Sequence, residues 1–135
     1  ALRTWIDYPT SSVRFLRDAT RGGLAAVTNE LCRGAGFGIA LHEASLPSDP
    51  DVAAALDLLG LDALEVANEG VLVAVVAADA AEAAVAALRS HPTGALAAIA
   101  GGITAAEPGR VVLETRIGGR RLVDFPRGLL LPRIC

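Results

Sequence analysis

Aromatic side chains are nearly absent from this sequence of 135 residues: they make up 4%, against 53% hydrophobic residues in all. A core stacked from rings is therefore excluded. The interior must be built from valine, leucine, isoleucine and much alanine, side chains small enough to let helices lie close to a sheet. Strong positive charge is also lacking. The net charge is -3 and no basic stripe appears, which excludes nucleic acid as the main partner, because phosphate binding needs clustered cations. Long apolar runs are missing too. The longest, Val71 to Ala78, stops at Asp79, far short of the roughly eighteen residues that signal a membrane helix. No charged segment followed by an apolar one opens the chain, so no secretory leader is expected. With only Cys32 and Cys135, a disulfide framework is not indicated, and a reducing cytoplasm is the expected setting.

The length suits one domain. Charged residues make up 20%, below the usual ~25%, which leads us to expect surface covered by something else. The start ALRTWIDYPT has neither an initiating methionine nor a helix signal, and is read as a fragment boundary with a further domain upstream. VRFLRD has the pattern of a short strand, and LAAVTNELCRGAG that of a helix, with Leu24, Val27, Leu31 and Cys32 at helical spacing and Gly34 and Gly36 as the stop. A strand is expected over 37–41, and a helix in DVAAALDLLGL ending near Gly60, with one more turn over 62–67. Asn68-Glu69-Gly70 marks a turn. It opens onto VLVAVV, whose unbroken apolar character predicts a central strand buried on both faces. Asp79 and Glu82 match a capping box for the next helix, which Pro92 halts. AAIAGGI predicts a strand with a glycine irregularity, and VVLET and RRLVDF a hairpin across Gly118-Gly119. No internal repeat appears. The expected class is α+β: an α/β sandwich with a mixed sheet backed by two or three helices, plausibly ferredoxin-like in part, and no Rossmann fingerprint.

Two stretches carry residues suited to chemistry. In RDATRGGLAAVTNEL, Gly22 and Gly23 stand at a helix entrance, where free amides and the helix dipole favour phosphate or carboxylate. Asp18 suits a cation or a ligand hydroxyl, and Thr20 an anion. The plainer alternative is that Asp18 or Thr20 caps the helix while the glycines allow a tight turn. Glu69 sits at the mouth of an apolar strand, where partial burial would raise its pKa toward that of a general base. Alternatively it is an ordinary polar turn residue. His42 and His91 have no partner at ligand spacing and are assigned to the surface or scaffold. Cys32 is expected in the core, and Arg120 and Arg121 in solvent.

Cys135 ends the chain. The stretch 126–135 holds two prolines, a glycine and three consecutive leucines. Fully extended, it reaches about 30 Å at ~3.3 Å per residue. It would be an arm with a nucleophilic sulfur at its tip, or else a frayed terminus with an incidental thiol.

RDATRGGLAAVTNEL, VANEGVLVAVV and the terminal PRIC together resemble the C-terminal half of HypE, a family of maturation factors for [NiFe] hydrogenases. The D-x-T-x-G-G-L part alone is shared across the superfamily of aminoimidazole ribonucleotide (AIR) synthetase, selenophosphate synthetase and thiamine-monophosphate kinase. The resemblance implies that residues 1–135 form an AIR synthase-related C-terminal domain. Residues 1–12 would link it to an N-terminal ATP-binding half, and 126–135 would be a mobile carrier tail. It implies that a carbamoyltransferase, HypF, loads a carbamoyl group onto Cys135. ATP, with Mg²⁺, then drives its dehydration to a thiocyanate, whose cyano group passes to iron on a HypC–HypD complex. Glu69 is implied as the base, and Asp18, Thr20, Gly22 and Gly23 as the motif facing the ATP cleft. No metal ligands are implied within this stretch. The N-terminal half would supply the homodimer contact, and without it the isolated piece would be inactive. Two other functions remain open: another ATP-dependent member of the superfamily, such as a small-molecule kinase or synthetase, and a non-catalytic interaction module.

Overall fold

The computed structural model describes residues 12–126. Strand β1, Val13–Asp18, leads through the glycine pair into helix α1, Gly23–Cys32, and then strand β2, Gly38–His42. Helix α2, Pro50–Leu59, strand β3, Leu72–Val76, and helix α3, Ala81–Arg89, follow. Strands β4, Gly101–Thr104, β5, Val111–Glu114, and β6, Arg120–Leu122, close the described part. The expected α+β class is what forms, with the strands divided between two sheets.

β4, β2, β5 and β6 lie side by side in that order. β2 and β5 run parallel, with Ile39 beside Val111 and Leu41 beside Leu113, whereas β2–β4 and β5–β6 are antiparallel. Alternation along a strand sends every second side chain to one face, so Ile39, Leu41, Val111 and Leu113 meet a single helix. That helix is α1, which offers Ala25 and Cys32, one heptad apart. With Leu64 and Val123 these residues form the buried core, and no aromatic side chain is among its buried members. The small faces of Ala25 and Cys32 let α1 lie close to the sheet, as the composition requires. Fully burying a side chain such as Val111 contributes about 1.5–3 kcal/mol.

β1 and β3 form a separate antiparallel ribbon, with Asp18 beside Leu72 and Leu16 beside Ala74. This corrects the expectation for VLVAVV. β3 is not a central strand buried on both faces: β1 is its one strand partner among the described residues, and Leu72 is exposed. Leu16, Asp18, Leu72 and Ala74 share a face of the ribbon, because paired residues point the same way.

Helices α2 and α3 begin differently. Asp49 caps α2, its Oδ1 accepting from the Asp51 N–H at 2.9 Å, and Pro50 takes the first turn. Gly60, at φ 66°, closes it, a left-handed conformation that glycine adopts without strain. α3 departs from the expected capping box. Asp79 lies inside a short 3₁₀ turn, Ala78–Ala80, which runs straight into the helix, so no side-chain cap forms there. The Gly118-Gly119 hairpin is present, with Gly118 at φ 82° and its N–H on the Thr115 carbonyl at 3.0 Å.

A paired glycine test follows from β4. A Cβ on Gly101 would lie 2.0 Å from the Ala40 carbonyl oxygen of β2, whereas one on Gly102 meets nothing within 4 Å. Gly101→Ala should therefore lose about 1–3 kcal/mol in urea unfolding, while Gly102→Ala should stay within ~0.5 kcal/mol of the parent. Equal midpoints for the two variants would show that β4 does not pack on β2 in this way.

Candidate functional site

The two stretches singled out in the sequence come together through one residue. Ala19, 1% exposed, donates its N–H to the Val71 carbonyl at 3.0 Å and accepts from the Asn68 N–H at 3.2 Å. Asp18 and Thr20 flank it on one strand of this clamp; Asn68, Glu69 and Gly70 form the other. Gly70 takes φ 88°, which lets the turn reverse before β3. The loop after β1 and the turn before β3 are thus a single backbone unit at one end of the ribbon.

The side chains do less than expected. The Thr20 hydroxyl donates to Asp18 Oδ2 at 2.7 Å and caps nothing. The N-cap position of α1 is Gly22, with no side-chain cap. This corrects the plainer alternative for Asp18 and Thr20. The carbonyl of Leu64 takes that place, accepting the Ala25 N–H at 2.8 Å. Gly22 and Gly23 both lie in the left-handed region, at φ 67° and 61°. A Cβ on Gly23 would sit 2.4 Å from the Leu64 oxygen and 2.6 Å from the Val66 oxygen. The second glycine therefore permits close packing of the 64–66 turn over the helix entrance, where an open anion cradle was expected.

Glu69 is exposed at the tip of its turn, which corrects the expectation of partial burial. Nothing described covers that end of the ribbon.

Asp62 escaped the sequence analysis. Its Oδ1 accepts the Leu64 N–H at 3.0 Å, and its Oδ2 accepts from Arg121 Nη2 at 2.6 Å. An aspartate two residues before a buried amide is the Asx-turn pattern, and that was the available signal. Arg121 is accordingly an ion-pair partner and not simply solvated, and Arg120 likewise reaches Glu107 at 3.2 Å. His42 is not isolated either: its Nδ1 lies 2.9 Å from Glu114 on the neighbouring parallel strand. Among the described residues no group of three or more His, Cys, Asp or Glu is placed to hold a metal.

The last described residues return to this place. Asn29 Nδ2 donates to the Val123 carbonyl at 2.9 Å, the Arg33 guanidinium lies 4.9 Å from the centre of the Phe125 ring, and a Cβ on Gly22 would come within 3.4 Å of Pro126 Cγ. Residues 123–126 therefore run beside α1, and Pro126 sits at the glycine entrance. Cys135, and with it the expectation of a carrier arm, lies outside the described residues. Cys32 is fully buried, and burial pushes its thiol pKa above the ordinary 9.0, which leaves it a poor nucleophile.

The sequence pattern of the family described as AIR synthase related protein, C-terminal domain, matches residues 3–114. The chain belongs to that family. Among its relatives, the carbamoyl dehydratase HypE of Escherichia coli K12 is 48% identical over 99% of this chain and 39% of its own length. A solved HypE in complex with ATP is 38% identical with a TM-score of 0.87, matching 98% of this chain and 42% of that one. The HypE of a HypE–HypF complex is 39% identical with a TM-score of 0.80, over 86% and 37%. The chain spans little more than a third of the length of the curated relatives it matches, and what it matches is the C-terminal domain of HypE.

Two measurements test this geometry. Gly23→Ala must push the 64–66 turn off the helix entrance, so urea unfolding should show a loss of about 2 kcal/mol or more and amide exchange at Asn68 should quicken. Parent-like values of both would refute the close packing. For Cys32, a folded-state pKa raised above the unfolded one means that its contribution to stability is complete below pH 9.0 and fades as pH rises beyond it. Native protein should leave Cys32 unlabelled by iodoacetamide near neutral pH and release it only on unfolding. Fast labelling of the folded protein would show that the helix does not shield it.

Proposed function

We propose that this chain is the C-terminal domain of a HypE-type carbamoyl dehydratase, with Cys135 as the carrier of the reacting group and Glu69 as its base. One observation supports the reading above the others: the Asp18 loop and the Glu69 turn share the Ala19 clamp, and Pro126, from which nine further residues lead to Cys135, starts at the adjoining Gly22. A tether of that length reaches about 30 Å, so a group on its sulfur can return to the turn or leave for a second protein.

The chemistry balances in two steps. A carbamoyl group on sulfur, S–C(=O)–NH₂, gives up one N–H proton as its oxygen attacks the γ-phosphate of ATP, leaving ADP and an O-phosphorylated imidate. Loss of the second N–H proton expels phosphate and leaves S–C≡N. Glu69 accepts a nitrogen proton, which raises electron density at the oxygen as it attacks. Asp18, held by Thr20, sits beside this turn and orients the reacting end through hydrogen bonding, and Gly22 and Gly23 keep the entrance compact. ATP is a substrate here. The amides of the helix entrance are partly taken up by Leu64, so this stretch contributes carboxylates and shape, and the remaining length of a full HypE chain supplies the triphosphate site. The described residues offer no set of metal donors, so any Mg²⁺ that neutralises the triphosphate would be held by the remaining length of a full HypE chain.

Residues 1–12 then serve as linker and 126–135 as carrier tail. HypF is the loading partner, in keeping with the HypE–HypF complex of a relative. A HypC–HypD complex receives the cyano group, the full protein is a homodimer, and the setting is the cytoplasm. The isolated chain is inactive, because a lyase of this kind needs the ATP-binding half.

Full-length protein incubated with HypF, carbamoyl phosphate and ATP should carry a mass-spectrometric adduct on Cys135, absent in Cys135→Ala. Glu69→Gln should load normally yet lose dehydration by roughly 10²-fold or more, the usual scale for a missing base. Activity surviving Cys135→Ala would point instead to a kinase or synthetase of the same superfamily. Normal thiocyanate formation by Glu69→Gln would move the base elsewhere.

A further inference from the structure

Glu69 is exposed and makes no side-chain hydrogen bond or ion pair among the described residues. A catalytic carboxylate so placed has its position set entirely by its backbone. That backbone, from Asp62 to Leu72, is fixed at three points. At its far end Val71 and Asn68 bond Ala19; two residues after its start the Leu64 carbonyl holds the Ala25 N–H of the helix entrance. At its start Asp62 uses both carboxylate oxygens, one on the Leu64 N–H at 3.0 Å and one on Arg121 of strand β6 at 2.6 Å. The third point differs from the others because it is a side chain and reaches another sheet. Residues 62–65 also close on themselves, with the Glu65 N–H on the Asp62 carbonyl at 3.0 Å.

We infer that Asp62 is a positioning residue for the Glu69 turn, tying the loop that carries it to the β5–β6 hairpin through Arg121. This rests on the assignment of Glu69 as the base. The Asp62–Arg121 pair is partly exposed, 31% and 43% at the side chains, and ion pairs of that kind add little to stability. Their geometry still matters, because the Asp62 carboxylate has both its oxygens committed and its direction fixed. Leu64 is buried in the core, so a shift of its amide is passed to the carbonyl that seats the helix entrance, and from there along four residues to the Asn68–Ala19 bond. A misplacement of the base on the order of 1 Å is enough to slow a reaction without unfolding anything.

The test uses the full-length protein preloaded on Cys135 and followed through a single turnover. Asp62→Ala should dehydrate about tenfold more slowly, within the range that misplaced groups cost, with loading by HypF unchanged and amide exchange faster at Leu64 and Asn68. Asp62→Asn keeps an acceptor for the Leu64 amide but weakens the Arg121 link. It should fall between, and it carries the test if Asp62→Ala does not fold. Combined with Glu69→Gln, Asp62→Ala should add no further slowing, since it acts through that carboxylate; a merely structural defect would multiply. Parent-like turnover by both Asp62 variants, while Glu69→Gln is impaired, overturns this inference and leaves the base assignment standing. So does a fully multiplicative double variant. Normal turnover by Glu69→Gln overturns the base assignment and this inference with it.

Discussion

A carbon atom at position 23 would lie 2.4 Å from the Leu64 carbonyl oxygen, and the site depends on its absence. With only a hydrogen there, the 64–66 turn settles onto the entrance of α1, its carbonyl satisfies the Ala25 amide, and the chain beyond it reaches Ala19. Backbone-to-backbone contact of this kind is stiff, because neither partner has a rotamer to change. The pair Gly22-Gly23 therefore serves two ends. The first glycine turns the chain where a Cβ would lie 2.8 Å from that of Ala26; the second lets two loops from distant parts of the sequence act as one body.

Much of this was legible in the sequence, and the parts that were not share a cause. The strands at 13–18, 38–42 and 111–114 and all three helices follow from periodicity and from turn residues such as Gly34, Gly60 and Gly118, because those signals act within a few residues of themselves. VLVAVV misled because an apolar run reports only that a strand can be buried, not what lies beside it. Asp79 misled because the 3₁₀ turn ahead of α3 already joins the backbone without a side-chain cap. For the site, D-x-T-x-G-G-L and N-E-G were visible as motifs. Their meeting at Ala19 was not, since an alanine carries no pattern. Asp62 and Arg121 lie 59 residues apart, and no local signal links them.

The ribbon explains why a single domain looks unfinished at this end. Leu16 and Leu72 share a face with Asp18 and remain exposed, while the four-stranded sheet has a closed core under α1. Exposed leucines cost little singly, and these two, beside a carboxylate, are the apolar surface that this end offers to a covering partner. A HypE chain has nearly two thirds of its length outside this stretch, by comparison with the relatives it matches. Covering that face with it would both remove the apolar surface and surround Asp18 and Glu69 with material that lowers the local dielectric.

The two cysteines divide along the same physical line. Cys32 fills a gap between α1 and the sheet, and its burial raises the thiol pKa, so it contributes volume and stays chemically silent. A carrier needs the contrary: a sulfur that ionises, accepts an acyl group from one protein and later yields a carbon to another. No rigid element can meet both sites, and a group free in solution would hydrolyse or diffuse away between them. A short tether resolves the conflict by keeping the effective concentration high at each stop without ordering the chain in between. The proposed arm needs a root fixed near the proposed base, and Pro126, beside Gly22, would supply it. The same glycine entrance thus seats the loop of the proposed base and Pro126, nine residues short of Cys135, so that the distance from that loop to the root of the proposed arm is set by the fold.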